Sequence, residues 1–229
     1  MGAIQQVLSS YLSVPPLPAG ATARWNVLSN SAGLLATLED VIGTNDGTAS
    51  GSARGTVLTG ASGLNGRNVL RLDGVANGYS LSAAIVLERF TVLSVMRRIG
   101  TNAISIGGSD FYPAVFAQSG LISFGNNRMV TSTGGYAVTS TGVDTNWKII
   151  GTAWDSGDAQ RPYRVNGSAV TPAALANYGN ATGIQFIGKS GGIFASCDLA
   201  DIVVWGRALS DPEILAATSH LNSIWGGVY

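Results

Sequence analysis

The chain has 229 residues, 45% of them hydrophobic and only 11% charged, with 13 basic residues set against 13 acidic ones. A zero net charge removes the sequence-independent attraction to phosphates on which nucleic-acid binding rests, so no nucleic-acid partner is expected. A single cysteine excludes an intrachain disulfide, and no run reaches the roughly eighteen apolar residues of a membrane span.

Residues 1–21 stand apart from the rest as an arm. Ile4, Val7, Leu8, Tyr11 and Leu12 recur at helical spacing on one side of a short helix, which Pro15-Pro16-Leu17-Pro18 then ends. So short a helix is marginal alone in water, and its stripe needs a cover: either the chain's own body or a neighbouring copy. Met1-Gly2-Ala3-Ile4 lacks the basic and apolar regions of a secretory signal.

From Arg24 onwards the texture is β. Strands are predicted near 24–28, 56–59, 69–73, 79–82, 90–98, 103–107, 113–117, 121–124, 136–139, 147–155, 161–165, 168–171, 184–188 and 199–205. The stretch Gly43–Gly66, rich in Gly, Ser, Thr and Asn, reads as a long surface excursion. Asn166-Gly167, between Tyr163-Arg164-Val165 and Ser168-Ala169-Val170, is a hairpin signal, because a type I′ turn needs two positive φ angles.

The end of the chain is the most specific part. A β-branched run, Ile202-Val203-Val204, leads through Trp205-Gly206 to a helix start at Ser210-Asp211-Pro212-Glu213. Ser210 as N-cap and Glu213 three residues on form a capping box, Pro212 suits the first turn, and Asp211 suits the positive helix end. Ile214, Ala217, Leu221 and Ile224 make one apolar face, and Gly226-Gly227 stops the helix.

This ending, Arg207-Ala208-Leu209-Ser210-Asp211-Pro212-Glu213-Ile214, resembles the last strand and "R-A-L-S-x-x-E-I" segment of laminin-G-like, concanavalin-A-like jelly-roll domains. Asn68–Gly74 with Phe90–Met96 resembles the family's early strand pair. Trp147–Asp155 with Tyr163–Gly167 resembles its central hairpin. The resemblance spans roughly residues 22–226. It implies an all-β antiparallel sandwich over 22–229, with one C-terminal helix behind the 1–21 arm. Relatives on this fold are lectins, glycanases, adhesion modules and virion parts. Low charge favours association, so the expectation is a non-catalytic structural or adhesion module of a bacteriophage virion: a capsid decoration, fibre or tail protein. Its expected partners are copies of itself, other virion proteins and cell-surface glycans; the alternative is a stand-alone carbohydrate-binding lectin.

Catalysis is not expected. Jelly-roll glycanases carry "E-x-D-x-x-E" on one strand, whereas Glu39, Glu88 and Glu213 are the only glutamates here and none sits in such a motif. Asp198 and Asp201, three apart on one strand, are predicted to face opposite ways. His220 is the only histidine, too few for a triad or a zinc site. No cofactor is expected, but calcium stays open, with oxygen ligands from Asp73, Asn77, Asp110 or carbonyls; the resemblance weakens that case, because Asn77 stands where many relatives carry a loop aspartate. Cys197, at a strand start, reads as a buried thiol.

Trp25, Trp147, Trp154 and Trp205 sit on strand patterns and read as core. Lectins stack an aromatic ring on a sugar's apolar face while polar side chains bind hydroxyls. Asp110, Tyr112, Asn126, Asn127, Arg128 and Tyr136 could supply such a patch, or could close the sandwich end or meet a partner subunit.

Overall fold

The computed structural model describes residues 15–50, 53–86, 89–100, 102–108, 114–118, 126–132, 135–142, 145–155, 163–170, 183–190 and 192–229. Twenty strands run in chain order: β1 (Ala21–Asn26), β2 (Gly33–Leu35), β3 (Thr37–Leu38), β4 (Gly47–Ala49), β5 (Gly55–Gly60), β6 (Gly66–Asp73), β7 (Tyr79–Ile85), β8 (Arg89–Arg98), β9 (Asn102–Ile104), β10 (Ile106–Gly107), β11 (Ala114–Gln118), β12 (Asn126–Ser132), β13 (Gly135–Gly142), β14 (Lys148–Asp155), β15 (Tyr163–Val165), β16 (Ser168–Val170), β17 (Ile184–Ile187), β18 (Lys189–Ser190), β19 (Ile193–Phe194) and β20 (Ser196–Trp205). One helix, α1 (Asp211–Ile224), follows β20. The chain is an all-β antiparallel sandwich with a C-terminal helix.

Nine strands form the large sheet in the order β16-β15-β14-β8-β20-β6-β5-β2, with β1 also beside β20. A five-stranded sheet, β10-β17-β7-β4-β3, packs on its inner face. A four-stranded sheet, β13-β12-β11-β9, and the β18–β19 pair complete the set. Gly43–Gly66 is therefore not a plain excursion: it holds β4 in one sheet and β5 in the other. Small residues there mark close packing. A Cβ on Gly55 would lie 2.6 Å from Leu70 Cδ1 and 2.9 Å from the Tyr79 hydroxyl. That hydroxyl crosses the core to donate to the Leu35 carbonyl at 2.9 Å and accept from Gly55 N–H at 3.2 Å.

The central strand β20 is buried over nearly its whole length because both of its faces are covered. Cys197, Leu199, Ile202 and Val204 face inwards to the sandwich core with Trp25, Leu70, Leu72, Tyr79 and Phe90. Ala200, Val203 and Trp205 face outwards to a second core under α1, with Ile214, Ala217, Leu221 and Trp225. Each such Val, Leu or Ile contributes about 1.5–3 kcal/mol relative to exposure.

The alternation breaks once. Leu199 pairs with Met96 and Asp201 with Val95, so Ala200 is an extra residue, a β-bulge. It puts Asp198 and Asp201 on the same outer face, against the sequence expectation of opposite faces. Asp198 meets Arg71 and Arg97, and Asp201 meets Arg24 and the Trp225 indole.

The helix start follows the local signals. Ser210 is the N-cap, and the Glu213 carboxylate accepts from Ser210 N–H at 2.9 Å and Oγ at 2.8 Å while pairing with Arg207 at 2.6 Å. Residues 15–21 lie along the same side. His220 Nδ1 meets the Pro15 carbonyl at 2.6 Å, Trp205 Nε1 donates to Pro18 at 3.0 Å, and Leu17 and Ala21 pack into the helix-side core. Ile4, Val7, Leu8, Tyr11 and Leu12 lie outside the described residues. Among the described residues no helix is long and apolar enough to cross a membrane.

Candidate glycan-binding face

Helix α1 covers only part of the large sheet's outer face. Beside it lies a cleft of about 460 Å³ lined by Leu64, Asn65, Asn146, Trp147, Lys148, Asn166 and the tail Gly227-Val228-Tyr229. Two hairpin turns build its ends. Leu64 and Arg67 exchange backbone hydrogen bonds at 3.0 and 2.9 Å around Asn65-Gly66, whose φ angles are 50° and 78°. Asn166-Gly167 repeats this at 52° and 79°, the type I′ pattern expected for that pair. Asn65 and Asn166 are the only non-glycine residues with positive φ among the described residues, and both line the cleft.

The same two amides fix the walls. Asn65 Nδ2 donates to the carbonyls of Trp225, Gly226 and Gly227 at 2.8, 3.2 and 3.2 Å, pinning the chain where it leaves α1. Asn166 Oδ1 accepts from Ile149 N–H at 2.9 Å, locking its turn to β14. Asn222 Oδ1 accepts from Val228 N–H at 2.6 Å and so holds the tail. Tyr229 is more than half exposed, and burial of the remainder raises its phenol pKa above the ordinary value, so the hydroxyl stays a donor at neutral pH. No carboxylate side chain lines the cleft among the described residues. Rings with carboxamides suit a polyhydroxylated ligand: the rings cover apolar faces, and a carboxamide carries both a donor and an acceptor, of which Asn65 and Asn166 each spend one on the walls.

Trp147 packs at the edge of the helix-side core rather than inside it, where the strand pattern put it. β14 begins one residue later, at Lys148, so the indole is left half-buried on the sheet's rim. There the Arg97 guanidinium lies over it, 5.1 Å from the ring centroid. The cross-strand pairs Arg71–Asp198 and Asp198–Arg97 then carry a row over β6, β20 and β8 to Trp147. Arg71 binds Asp198 in a bidentate manner at 2.8 and 2.9 Å, and Arg97 Nε and Nη2 both reach its Oδ2 at 2.8 Å. Asp198 is fully buried, whereas the Arg71 and Arg97 side chains are 41% and 30% exposed. The hydrogen bond to Asp198 holds the Arg71 guanidinium pKa above its ordinary value.

Of the patch expected from sequence, Asp110 and Tyr112 lie outside the described residues. Asn126, Asn127 and Arg128 sit on β12 and Tyr136 on β13. Asn126 pairs with Gly142 and Tyr136 with Val130, so those two positions are four residues apart along the hairpin, about 13 Å. Trp25 and Trp205 are fully buried as expected, while the Trp154 side chain lies outside what is described. Asn77 is buried, accepting from Asp73 N–H at 2.9 Å and donating to the Arg54 carbonyl at 3.2 Å, which ties it to its own loop. Among the described residues no three His, Cys, Asp or Glu gather as metal ligands. Cys197 is buried, and burial pushes its thiol pKa up.

Domain 4 of the extracellular arabinanase AbnA from Geobacillus stearothermophilus, solved with arabinotriose, superposes with a TM-score of 0.63 at 14% identity, over 87% of this chain and 98% of that one. The chain has a lectin-like β-sandwich fold. Trypanosoma rangeli sialidase matches with a TM-score of 0.61 at 16% identity over 92% of this chain, which spans only about a third (34%) of the sialidase. The ligand-binding domain of botulinum neurotoxin serotype D, solved with N-acetylneuraminic acid, matches with a TM-score of 0.59 at 10% identity over 87% of this chain and 50% of that one. No family model matches the chain, and no curated protein matches it by sequence.

Proposed function

We propose that this chain is a non-catalytic carbohydrate-binding module whose binding face is the Trp147–Tyr229 cleft. The observation that carries the reading is the cleft's lining: two partly exposed aromatic residues and three asparagines, without a carboxylate side chain among the described residues. The solved ligands of the arabinanase domain and the neurotoxin domain are sugars, which supports the class of ligand. Three acids elsewhere are committed: Asp198 and Asp201 to arginines, and Glu213 to the helix start.

A glycan array probed with the wild-type chain and Trp147→Ala tests this. Retention of defined oligosaccharides by the wild type, and loss in a variant whose circular dichroism is unchanged, is the expected result. Retention unaffected by Trp147→Ala but lost in Tyr136→Ala would move the site to the patch of Asn126, Asn127, Arg128 and Tyr136. No retained glycan would overturn the proposal.

We further propose that the module works inside an assembly, as a bacteriophage virion component located in the virion. Low charge supports association, and the sequence of residues 4–12 carries an apolar stripe that needs a cover. Ultracentrifugation of the full chain and of a variant lacking residues 1–14 decides it. An oligomer or particle-bound full chain beside a monomeric, folded variant is expected. A full chain that stays monomeric at high concentration and binds no particle would contradict it.

A further inference from the structure

We infer that the glycan bound at the cleft is acidic, and that Arg97 and Arg71 form the subsite for its anionic groups. The inference rests on the carbohydrate-binding reading and adds the charge of the ligand. Its starting point is the row Arg71–Asp198–Arg97–Trp147, whose last member lines the cleft. One arginine is enough to neutralise one buried carboxylate, as Arg24 does for Asp201. Asp198 has two, so the row carries a surplus positive charge, and both guanidinium groups reach solvent.

Their orientation is set in advance. Each directs Nε and Nη2 at Asp198, which fixes the planar fork, and Nη1 of each has no partner among the described residues. A guanidinium held by a buried acid and stacked on an indole loses little conformational freedom when an anion arrives. It also offers charge-assisted hydrogen bonds, the strong kind. A row that served stability alone would do as well with apolar residues, since a buried ion pair is often no better than a packed hydrophobic pair. The pattern fits a carboxylate- or sulfate-bearing sugar whose ring lies on the Trp147 side and whose charge reaches Arg97.

The test is equilibrium binding to matched pairs that differ only in charge: oligogalacturonate and its methyl ester, sialyllactose and lactose, heparin oligosaccharide and its desulfated form. The expected result is binding to charged members only, weakening as salt rises. Arg97→Gln and, separately, the more exposed Arg71→Gln should each lower that affinity by about tenfold or more, the worth of one hydrogen bond to a charged group. Thermal melts of both variants confirm folding, and loss of the salt dependence is a readout that a purely structural role would not move. Equal binding to neutral members, abolished by Trp147→Ala but indifferent to both arginine variants, would overturn the acidic ligand and leave the carbohydrate-binding module standing. Binding to no member of any pair would overturn both.

Discussion

Two aspartates on one strand, facing one way, have come to different ends. Asp201 pairs with Arg24 at 2.6 Å, and the Trp225 indole at the end of α1 closes over it with a 3.1 Å hydrogen bond; the Arg24 side chain is only 14% exposed. Asp198, three residues earlier, lies where the helix no longer reaches, and its arginines open to solvent beside Trp147. The same charge pair is a fastening under the helix and a prepared surface beyond it. Packing decides which, and a candidate site arises where the cover stops.

The comparison breaks most visibly in stability. Asp201→Ala leaves a nearly buried guanidinium without its partner and should cost about 3–5 kcal/mol. Asp198→Ala frees two arginines that can rehydrate in place, and should cost less, about 1–3 kcal/mol. Urea midpoints of the two variants check the order, and equal losses would erase the distinction between sealed and open pairs. The tryptophans sharpen it. Trp225→Phe removes the indole N–H from Asp201 and should cost about 1.5–3 kcal/mol, the worth of a hydrogen bond to a charged group. Trp147→Phe, on the rim, should cost less, about 0.5–1 kcal/mol, the worth of a weakened cation–π contact with Arg97, in the same assay.

Much of the sealed region was legible in the sequence, and little of the open one. The Ile202–Val204 run, the Ser210/Glu213 pair and Gly226-Gly227 are local signals, and they locate α1 to within a residue and the end of β20, whose start at Ser196 lies three residues before the expected 199. The Ala200 bulge is not local: it exists because β8 offers one residue where β20 has two, so the shared face of Asp198 and Asp201 could not be read from spacing. Trp147 fits a strand pattern, and its role changes only because β14 starts one position after it. Asn65-Gly66 carries the same turn signal as Asn166-Gly167, but it was hidden in a stretch read as surface excursion. Arg71 and Arg97 look like ordinary solvated strand residues until Asp198 is seen between them.

Smaller effects mark the helix start. Ser210→Ala should cost roughly 1 kcal/mol through the lost cap, measured as a lower thermal midpoint. Arg207, and then Ser210, hold the Glu213 carboxyl down to about 2, below the ordinary value of 4.5. A depressed carboxylate favours the folded state above its unfolded pKa, and that contribution fades as pH falls through the folded value. The gap in thermal midpoint between wild type and Glu213→Gln should therefore be full near about pH 6 and close towards about pH 2. A gap that widens on acidification would contradict the assignment.

The most direct test of the account is a titration of the chain with an array-selected oligosaccharide, followed by the indole N–H resonances of its five tryptophans. Trp147, assigned by its loss in Trp147→Phe, should shift first and furthest. Trp25 and Trp205, whose indoles donate to the Asn45 and Pro18 carbonyls at 3.0 Å inside the fold, should stay in place. Saturable binding that leaves the Trp147 resonance unmoved would contradict the cleft as the binding face.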